Sequence, residues 1–210
     1  AAAITSTAAA HAGVPASSVA KFDDEYDVVI IGSGFAGMAC ALKAGQAGKK
    51  VLILEKMPTV GGNSAICGGN VACPVNPVQA AQGIKDSKEL FIADCLKDGL
   101  GINYPNLLCT IADRCNDTIK MVVDCGCEFV PNKMLFEAGH SVPRSYEIKA
   151  GTGSGYIIPM HNELKKLPNV KIGIFKFPMF CDFVFSIIEG RSSLFNLYQG
   201  TCTKVHIRLF

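Results

Sequence analysis

Between Tyr26 and Glu55 the chain reads as a short apolar run, a glycine-rich turn, a helix of small residues, a second apolar run and an acid. Val28–Ile31 has the continuous hydrophobicity of a strand buried on both faces of a parallel sheet. Gly32, Gly34 and Gly37 follow at once with G-x-G-x-x-G spacing. The first glycine permits a tight turn, the second lets backbone approach a pyrophosphate, and the third lets the helix lie close on the strand. The pattern predicts a helix from Phe35 to Ala47, with Ala36, Ala39, Ala41, Ala44 and Ala47 small enough for close packing. Its N-terminus presents N–H groups and the positive end of a dipole, worth roughly 0.3–2 kcal/mol to a nearby anion. Strand Val51–Leu54 then runs into Glu55, eighteen residues after Gly37. A carboxylate there accepts hydrogen bonds from ribose hydroxyls and disfavours a 2′-phosphate. Strand, turn, helix and acid in register predict a dinucleotide site on an α/β, Rossmann-like fold with a parallel central sheet.

Composition narrows the partners. The 210 residues are 49% hydrophobic and carry a net charge of +2, with no basic stripe; mean hydropathy is +0.28. That is material for a sizeable core, without the electrostatic footprint that nucleic acid requires. The longest apolar runs, such as Met179–Ile188 with Asp182 inside it, are about ten residues, against roughly 20 for a bilayer span. No transmembrane segment is expected. Ten cysteines include no C-x-x-C pair and no C-x-x-C-H haem attachment, and Cys125-Gly-Cys127 is too tight for half a zinc site. No metal is therefore expected. Cys109 and Cys115 fall on an amphipathic helix as small buried hydrophobes, and the disulfide pattern stays open.

Three segments follow from the texture of the chain. Residues 1–23 are an Ala/Ser-rich segment expected to be flexible. Ala8-Ala9-Ala10 resembles a signal-peptidase site, which favours export to a periplasm; a plain linker, with the protein in the cytoplasm, is the alternative. Residues 24–174 form the domain. A Gly61–Ser64 loop and a Gly68-Gly69 pair are followed by a Pro-punctuated connector with Pro74 and Pro77. Asp86-Ser-Lys-Glu89 reads as a capping box opening a helix that ends near Gly99. Pro105 opens a longer helix whose face is Leu108, Ile111, Ala112, Cys115, Ile119, Val122 and Val123, stopped by Gly126. Phe136–Gly155 is a Gly-, Ser- and charge-rich loop of the kind that lines sites, with His140 expected to be solvated. A helix over Tyr156–Leu167 and a parallel strand over Asn169–Ile174 complete the unit. In 175–210, seven of the twelve Phe fall in 36 residues with no clean period, and no role is assigned to them.

The motifs Gly-Ser-Gly-Phe-Ala-Gly (32–37), Leu-Glu-Lys (54–56), Gly-Gly-Asn-Ser (61–64), Gly-Gly-Asn (68–70) and Gly-His-Ser-Val-Pro-Arg-Ser (139–145) together resemble the flavocytochrome c and soluble fumarate reductase flavoproteins. That group includes methacrylate and urocanate reductases. The resemblance covers about residues 24–174. It implies a glutathione-reductase-type FAD-binding domain, here an incomplete N-terminal part, with FAD held non-covalently in an extended form. Gly32 and Gly37 would shape the pyrophosphate turn, with Ser33, Gly34, Phe35 and Ala36 beside it. Glu55 would hold the adenosine ribose, and Lys56 would lie near the adenine end. Gly62, Asn63 and Ser64 would line the pyrophosphate and ribityl side, and Gly68 and Gly69 would approach the isoalloxazine.

The reaction implied is reduction of a carbon–carbon double bond in a small unsaturated carboxylic acid. Arg and His residues clamp the carboxylates, and an Arg donates the proton. Those clamp residues lie beyond Ile174 in the family, and 175–210 does not match them, so the tail reads as a truncated or frameshifted end and the catalytic residues are unknown. The family's haem module is also missing, which makes a separate multihaem c-type cytochrome the expected electron donor. Two alternatives stay open: another FAD- or NAD-linked oxidoreductase, and a non-catalytic flavin-binding or electron-transfer subunit.

Overall fold

The chain runs through β1 (Asp24–Tyr26) and β2 (Val28–Ile31) into α1 (Phe35–Gln46) and β3 (Val51–Glu55). The short helix α2 (Gly62–Ile66), β4 (Val71–Ala72) and a second short helix, α3 (Pro77–Ala81), come next. Helices α4 (Lys88–Asp98) and α5 (Pro105–Asp124), strand β5 (Ser145–Tyr146), helix α6 (Ser154–Lys165) and strand β6 (Val170–Ile174) follow. The computed structural model describes residues 24–174 and 205–207. The Ala/Ser-rich segment 1–23 and most of the Phe-rich tail lie outside the described residues. Within that tail Val205–Ile207 forms β7, antiparallel to β1 with Asp24 opposite Ile207.

The parallel sheet has the order β2-β3-β6. Val28 pairs with Val51 and Ile31 with Leu54 on one side of β3; Val51 pairs with Val170 and Glu55 with Ile174 on the other. The parallel strand expected over 169–174 is therefore present. Double-sided burial, expected of Val28–Ile31, belongs instead to β3, whose five residues are all buried. Among the described residues β2 is hydrogen-bonded along one edge only, and Ile31 at its end is 49% exposed.

Helix α1 begins at the glycine turn, with Met38 N–H donating to the Gly34 carbonyl at 2.9 Å. Its close face is a stripe at i, i+4 and i+8: Gly37, Ala41 and Gly45, all buried. A Cβ on Gly37 would lie 2.1 Å from the Gly32 carbonyl oxygen, and one on Gly45 would lie 2.5 Å from Val170 Cγ2. Of the five alanines expected to allow this approach, Ala41 is buried and Ala39 and Ala44 flank the core, whereas Ala36 and Ala47 face outward. Met38 and Leu42 from α1 pack with Ile30, Val51 and Ile53 of the sheet and with Tyr156, Ile157, Met160 and Leu164 of α6. Each such side chain contributes about 1.5–3 kcal/mol of burial.

The remaining helices brace the loops. Ser87, not Asp86, caps α4, its hydroxyl accepting from Leu90 N–H at 3.0 Å, because Asp86 is drawn to a buried arginine described below. The connector around Pro77 is the helix α3, opened by a capping box in which Asn76 and Gln79 bond each other's backbone. On α5 the buried stripe is Leu108, Ala112, Cys115 and Val122; Ile111 and Val123 are about half exposed, at 49% and 48%. Cys115 is buried as expected, but Cys109 is exposed. Helix α6 starts two residues earlier than its pattern predicts. Antiparallel pairing of Val71 with Tyr146 and Ala72 with Ser145 ties the segment after Gly69 to the segment after Arg144. Among the described residues, no helix is long and apolar enough to cross a membrane.

Candidate cofactor site

The first element of the site is the turn between β2 and α1. Gly32 takes φ +90°, a conformation that costs a glycine little and a side-chain-bearing residue much. This lets the chain leave β2 sharply and brings Ser33 over the end of β3. There the Ser33 N–H donates to Glu55 Oε2 at 3.0 Å and the Ser33 hydroxyl donates to the same oxygen at 2.5 Å. Met57 N–H donates to Oε1 at 2.8 Å. Burial alone would push the Glu55 carboxyl up. The hydrogen bonds from the Ser33 hydroxyl and from the Met57, Ser33 and Lys56 N–H groups outweigh it and hold the pKa below the ordinary glutamate value. Glu55 is thus an anion at neutral pH, 5% exposed and fixed at the end of β3 against the turn.

The second element is the loop that follows β3. Gly61 N–H donates to Ser33 Oγ at 2.9 Å, and Ser64 Oγ accepts from Phe35 N–H at 3.1 Å. Two serines therefore stitch the Gly-Gly-Asn-Ser loop to the start of α1. Gly34 keeps the room this needs, since a Cβ there would lie 3.1 Å from Ser64 Oγ. The third element is the Gly-Thr-Gly-Ser-Gly segment, 151–155. Gly153 N–H donates to the Cys67 carbonyl at 2.8 Å, and a Cβ on Gly153 would sit 1.8 Å from the Ser64 carbonyl. Gly69 is pressed against the same segment, a Cβ there falling 2.5 Å from Ile148 Cγ2 and 2.9 Å from the Thr152 carbonyl carbon.

The structure therefore brings all the predicted residues into one stretch of loops. Gly32, Ser33, Gly34, Phe35, Ala36 and Gly37 form the turn and the first turn of α1. Glu55 closes β3, and Lys56 follows it as an exposed residue. Gly62, Asn63 and Ser64 open α2, and Gly68 and Gly69 follow it. Residue exposure splits the glycines into two groups. A Cβ on Gly32, Gly62 or Gly68 would meet no atom within 4 Å, whereas Gly37, Gly61 and Gly69 are closely packed. The turn and both glycine loops thus each combine a position open to added atoms with one that is packed tight. That arrangement, with an anionic Glu55 at one end, fits an extended adenine dinucleotide. Sequence reasoning did not single out Gly153 or Tyr156. The G-x-G-x-G run was the available signal for the former, and Tyr156 carried none beyond starting a helix. A separate cavity of about 430 Å³, lined by Asn76, Gln79, Asp86 and Asn116 among others, includes none of these glycines.

The His140–Arg144 loop has a different role from the lining expected of it. Arg144 is fully buried, bonding Asp86 through Nε at 3.0 Å and Nη2 at 2.9 Å, and Asp94 through Nη1 at 2.7 Å. Ser141 N–H and hydroxyl donate to Asp94 at 2.8 and 2.5 Å. His140 is half-buried, not solvated: Nδ1 lies 3.0 Å from Arg144 Nη1, and its ring stacks on Phe91 with centroids 6.1 Å apart. Burial, followed by the Arg144 charge, lowers the His140 pKa against the pull of Asp94, Asp86 and Glu137. The loop is a buried charge clamp between β5, α4 and the segment before it. Its cation is spent on two aspartates.

A model of the FAD binding domain family matches residues 27–172. The acrylate reductase flavoprotein subunit of Shewanella woodyi is 43% identical over 148 residues, 70% of this chain and 29% of that protein. The urocanate reductase of Eggerthella lenta is 36% identical over 149 residues, 70% of this chain and 24% of that protein. The open conformation of a flavocytochrome c3 fumarate reductase superposes with a TM-score of 0.63 at 28% identity, covering 69% of this chain and 26% of that one. The chain thus spans less than a third of the length of these relatives. It belongs to the FAD binding domain family, its relatives include fumarate, acrylate and urocanate reductase flavoproteins, and its cofactor is FAD.

Proposed function

We propose that this chain is the flavin-binding part, residues 24–174, of a reductase that saturates the C=C bond of a small unsaturated carboxylic acid. Bound FAD supplies hydride chemistry to the alkene. The protein residues bind and orient it. In this reading Gly32 and Gly37 shape the pyrophosphate turn, with Ser33, Gly34, Phe35 and Ala36 beside it. Glu55 takes the adenosine ribose and Lys56 flanks the adenine. Gly62, Asn63 and Ser64 line the pyrophosphate and ribityl side, and Gly68 and Gly69 approach the isoalloxazine. The observation that carries the reading is the Ser33–Gly61 and Phe35–Ser64 stitching, which sets the pyrophosphate turn and the second glycine loop side by side.

Substrate recognition is assigned to residues outside those described. Arg144 has no exposed surface, and the other described arginine, Arg114, pairs with Asp117 on the surface of α5. A multihaem c-type cytochrome on a separate chain is the proposed electron donor, and the periplasm the proposed compartment. The test is turnover of acrylate, methacrylate, fumarate and urocanate by the purified flavoprotein with reduced viologen as donor. Oxidation of the viologen with one or more of these acids supports the proposal. A protein that carries FAD yet oxidises viologen with none of them contradicts it and favours a flavin-binding or electron-transfer subunit.

A further inference from the structure

One buried side chain joins both halves of the proposed flavin site, although neither motif contains it. Tyr156, on the first turn of α6, is 4% exposed, and its hydroxyl donates to the Gly69 carbonyl at 2.6 Å. Its ring meets Phe35, at the start of α1, edge-on with centroids 4.9 Å apart, and Phe129 at 5.8 Å. One end of the residue therefore rests on the pyrophosphate turn and the other holds the glycine pair.

The consequence lies in the peptide that follows Gly69. The bond is planar and trans, so its C=O and N–H point in opposite directions. Holding the Gly69 carbonyl inward against Tyr156 turns the Asn70 N–H outward. Gly69 has little freedom to undo this. It takes φ +76°, and the backbone of Thr152 and the side chain of Ile148 crowd its Cα. Gly68 and Asn70, on either side of the buried Gly69, are exposed, and a Cβ on Gly68 would meet nothing within 4 Å. The Asn70 side chain is itself engaged, its Nδ2 donating to Glu137 at 2.8 Å.

We infer that Tyr156 is a positioning residue for the redox half of the flavin: it aims the Gly69–Asn70 amide at the polar edge of the isoalloxazine. The inference rests on the proposed approach of Gly68 and Gly69 to that ring. A donor N–H there stabilises the negative charge that collects on the ring's polar edge on reduction. Burial keeps the phenol protonated, its pKa pushed well above the ordinary tyrosine value, so it remains a donor across the physiological range. The hydroxyl and the amide form a two-bond chain, in which a stronger first bond polarises the second.

The test uses the FAD-loaded protein and two variants that keep the ring in place. Tyr156→Phe retains FAD, but its ratio of reduced to oxidised flavin at fixed potential falls about tenfold, equivalent to ~30 mV for a two-electron couple. Site-specific 3-fluorotyrosine at 156, a stronger donor of nearly the same shape, moves the potential in the opposite direction. A Tyr156→Phe protein that melts at a lower temperature while both variants keep the wild-type flavin potential and visible spectrum assigns Tyr156 a purely structural role and overturns the inference. Should Tyr156→Phe fail to fold, the fluorotyrosine protein decides: an upward shift supports the inference, and an unchanged potential overturns it. A wild-type protein that takes up no FAD overturns the site assignment itself, a result distinct from indifferent Tyr156 variants in a protein that binds it.

Discussion

Glu55 Oε2 accepts two hydrogen bonds from one residue, the backbone N–H and the hydroxyl of Ser33, 22 positions earlier in the chain. The same hydroxyl accepts from Gly61 N–H, so Ser33 is the point where both dinucleotide loops meet. Ser33→Ala leaves the buried Gly61 N–H without its acceptor and removes one of the bonds that keep Glu55 ionised. The expected loss is about 1–3 kcal/mol of stability, with weaker FAD binding. Chemical denaturation and a flavin titration on the same variant read both effects.

Gly37 and Gly32 are in closer contact than any side chain allows, since a Cβ on the former would lie 2.1 Å from the latter's carbonyl oxygen. Backbone must shift to admit even a methyl group. Gly37→Ala is expected to cost about 1–3 kcal/mol as overpacking and to distort the turn enough to abolish FAD binding. Gly48→Ala, where no atom crowds the added Cβ, is the control: its cost arises from φ +77° alone and FAD binding is retained.

Arg144 lies between Asp86 and Asp94, with side-chain exposures of 0%, 1% and 7%. Arg144→Met strands two buried carboxylates, and the expected cost is about 3–5 kcal/mol. Arg144→Lys does not restore the loss, because an ammonium cannot reproduce the fork that bonds Asp86 through two nitrogens. Thermal melts of the two variants check the ordering.

The pH dependence of stability has two stages. Burial, then the Arg144 charge, lowers the His140 pKa in the folded protein; burial, then Lys165, does the same for His161. Below the ordinary imidazole pKa of about 6.5 the unfolded chain takes up protons that the folded protein refuses, so stability falls as pH drops through that window. Glu55 and Asp94 titrate below their ordinary values. For both, burial works upward and is outweighed, by hydrogen bonds from Ser33, Met57 and Lys56 at Glu55, and by Ser141 and Arg144 at Asp94. Their contribution is complete above about pH 4–5 and is lost as pH falls through the folded pKa values. Urea midpoints measured from pH 8 to pH 3 should show a shallow decline followed by a steep one, and His140→Asn should flatten the first.

The glycine turn, helix α1 and the acid at the end of β3 were legible because their logic is local: spacing within thirty residues dictates turn, helix and carboxylate together. The charge clamp was not. Arg144 finds Asp94 and Asp86 at separations of 50 and 58 residues, and no periodicity announces such a pair. That clamp also moved the α4 cap by one residue, since an Asp86 engaged by a guanidinium cannot cap. Ile111 and Val123 match the helical period of α5 but lie at the margin of its buried stripe, where apolar spacing alone does not resolve the face. The α3 helix is marked by Asn76-Pro77 and Gln79, but Pro77 so soon after Pro74 has the texture of a connector. Tyr156 gave no signal, because its value depends on Gly69, 87 residues away.

The turn at 32–37, locked to Glu55, is the proposed seat of FAD. A titration of the flavin-free protein with FAD, followed by fluorescence and calorimetry in parallel with Gly37→Ala and Ser33→Ala, tests it most directly. Saturation at one FAD per chain is expected, with no saturation for Gly37→Ala and a weakened isotherm for Ser33→Ala. Saturable binding of equal strength by all three proteins would contradict it.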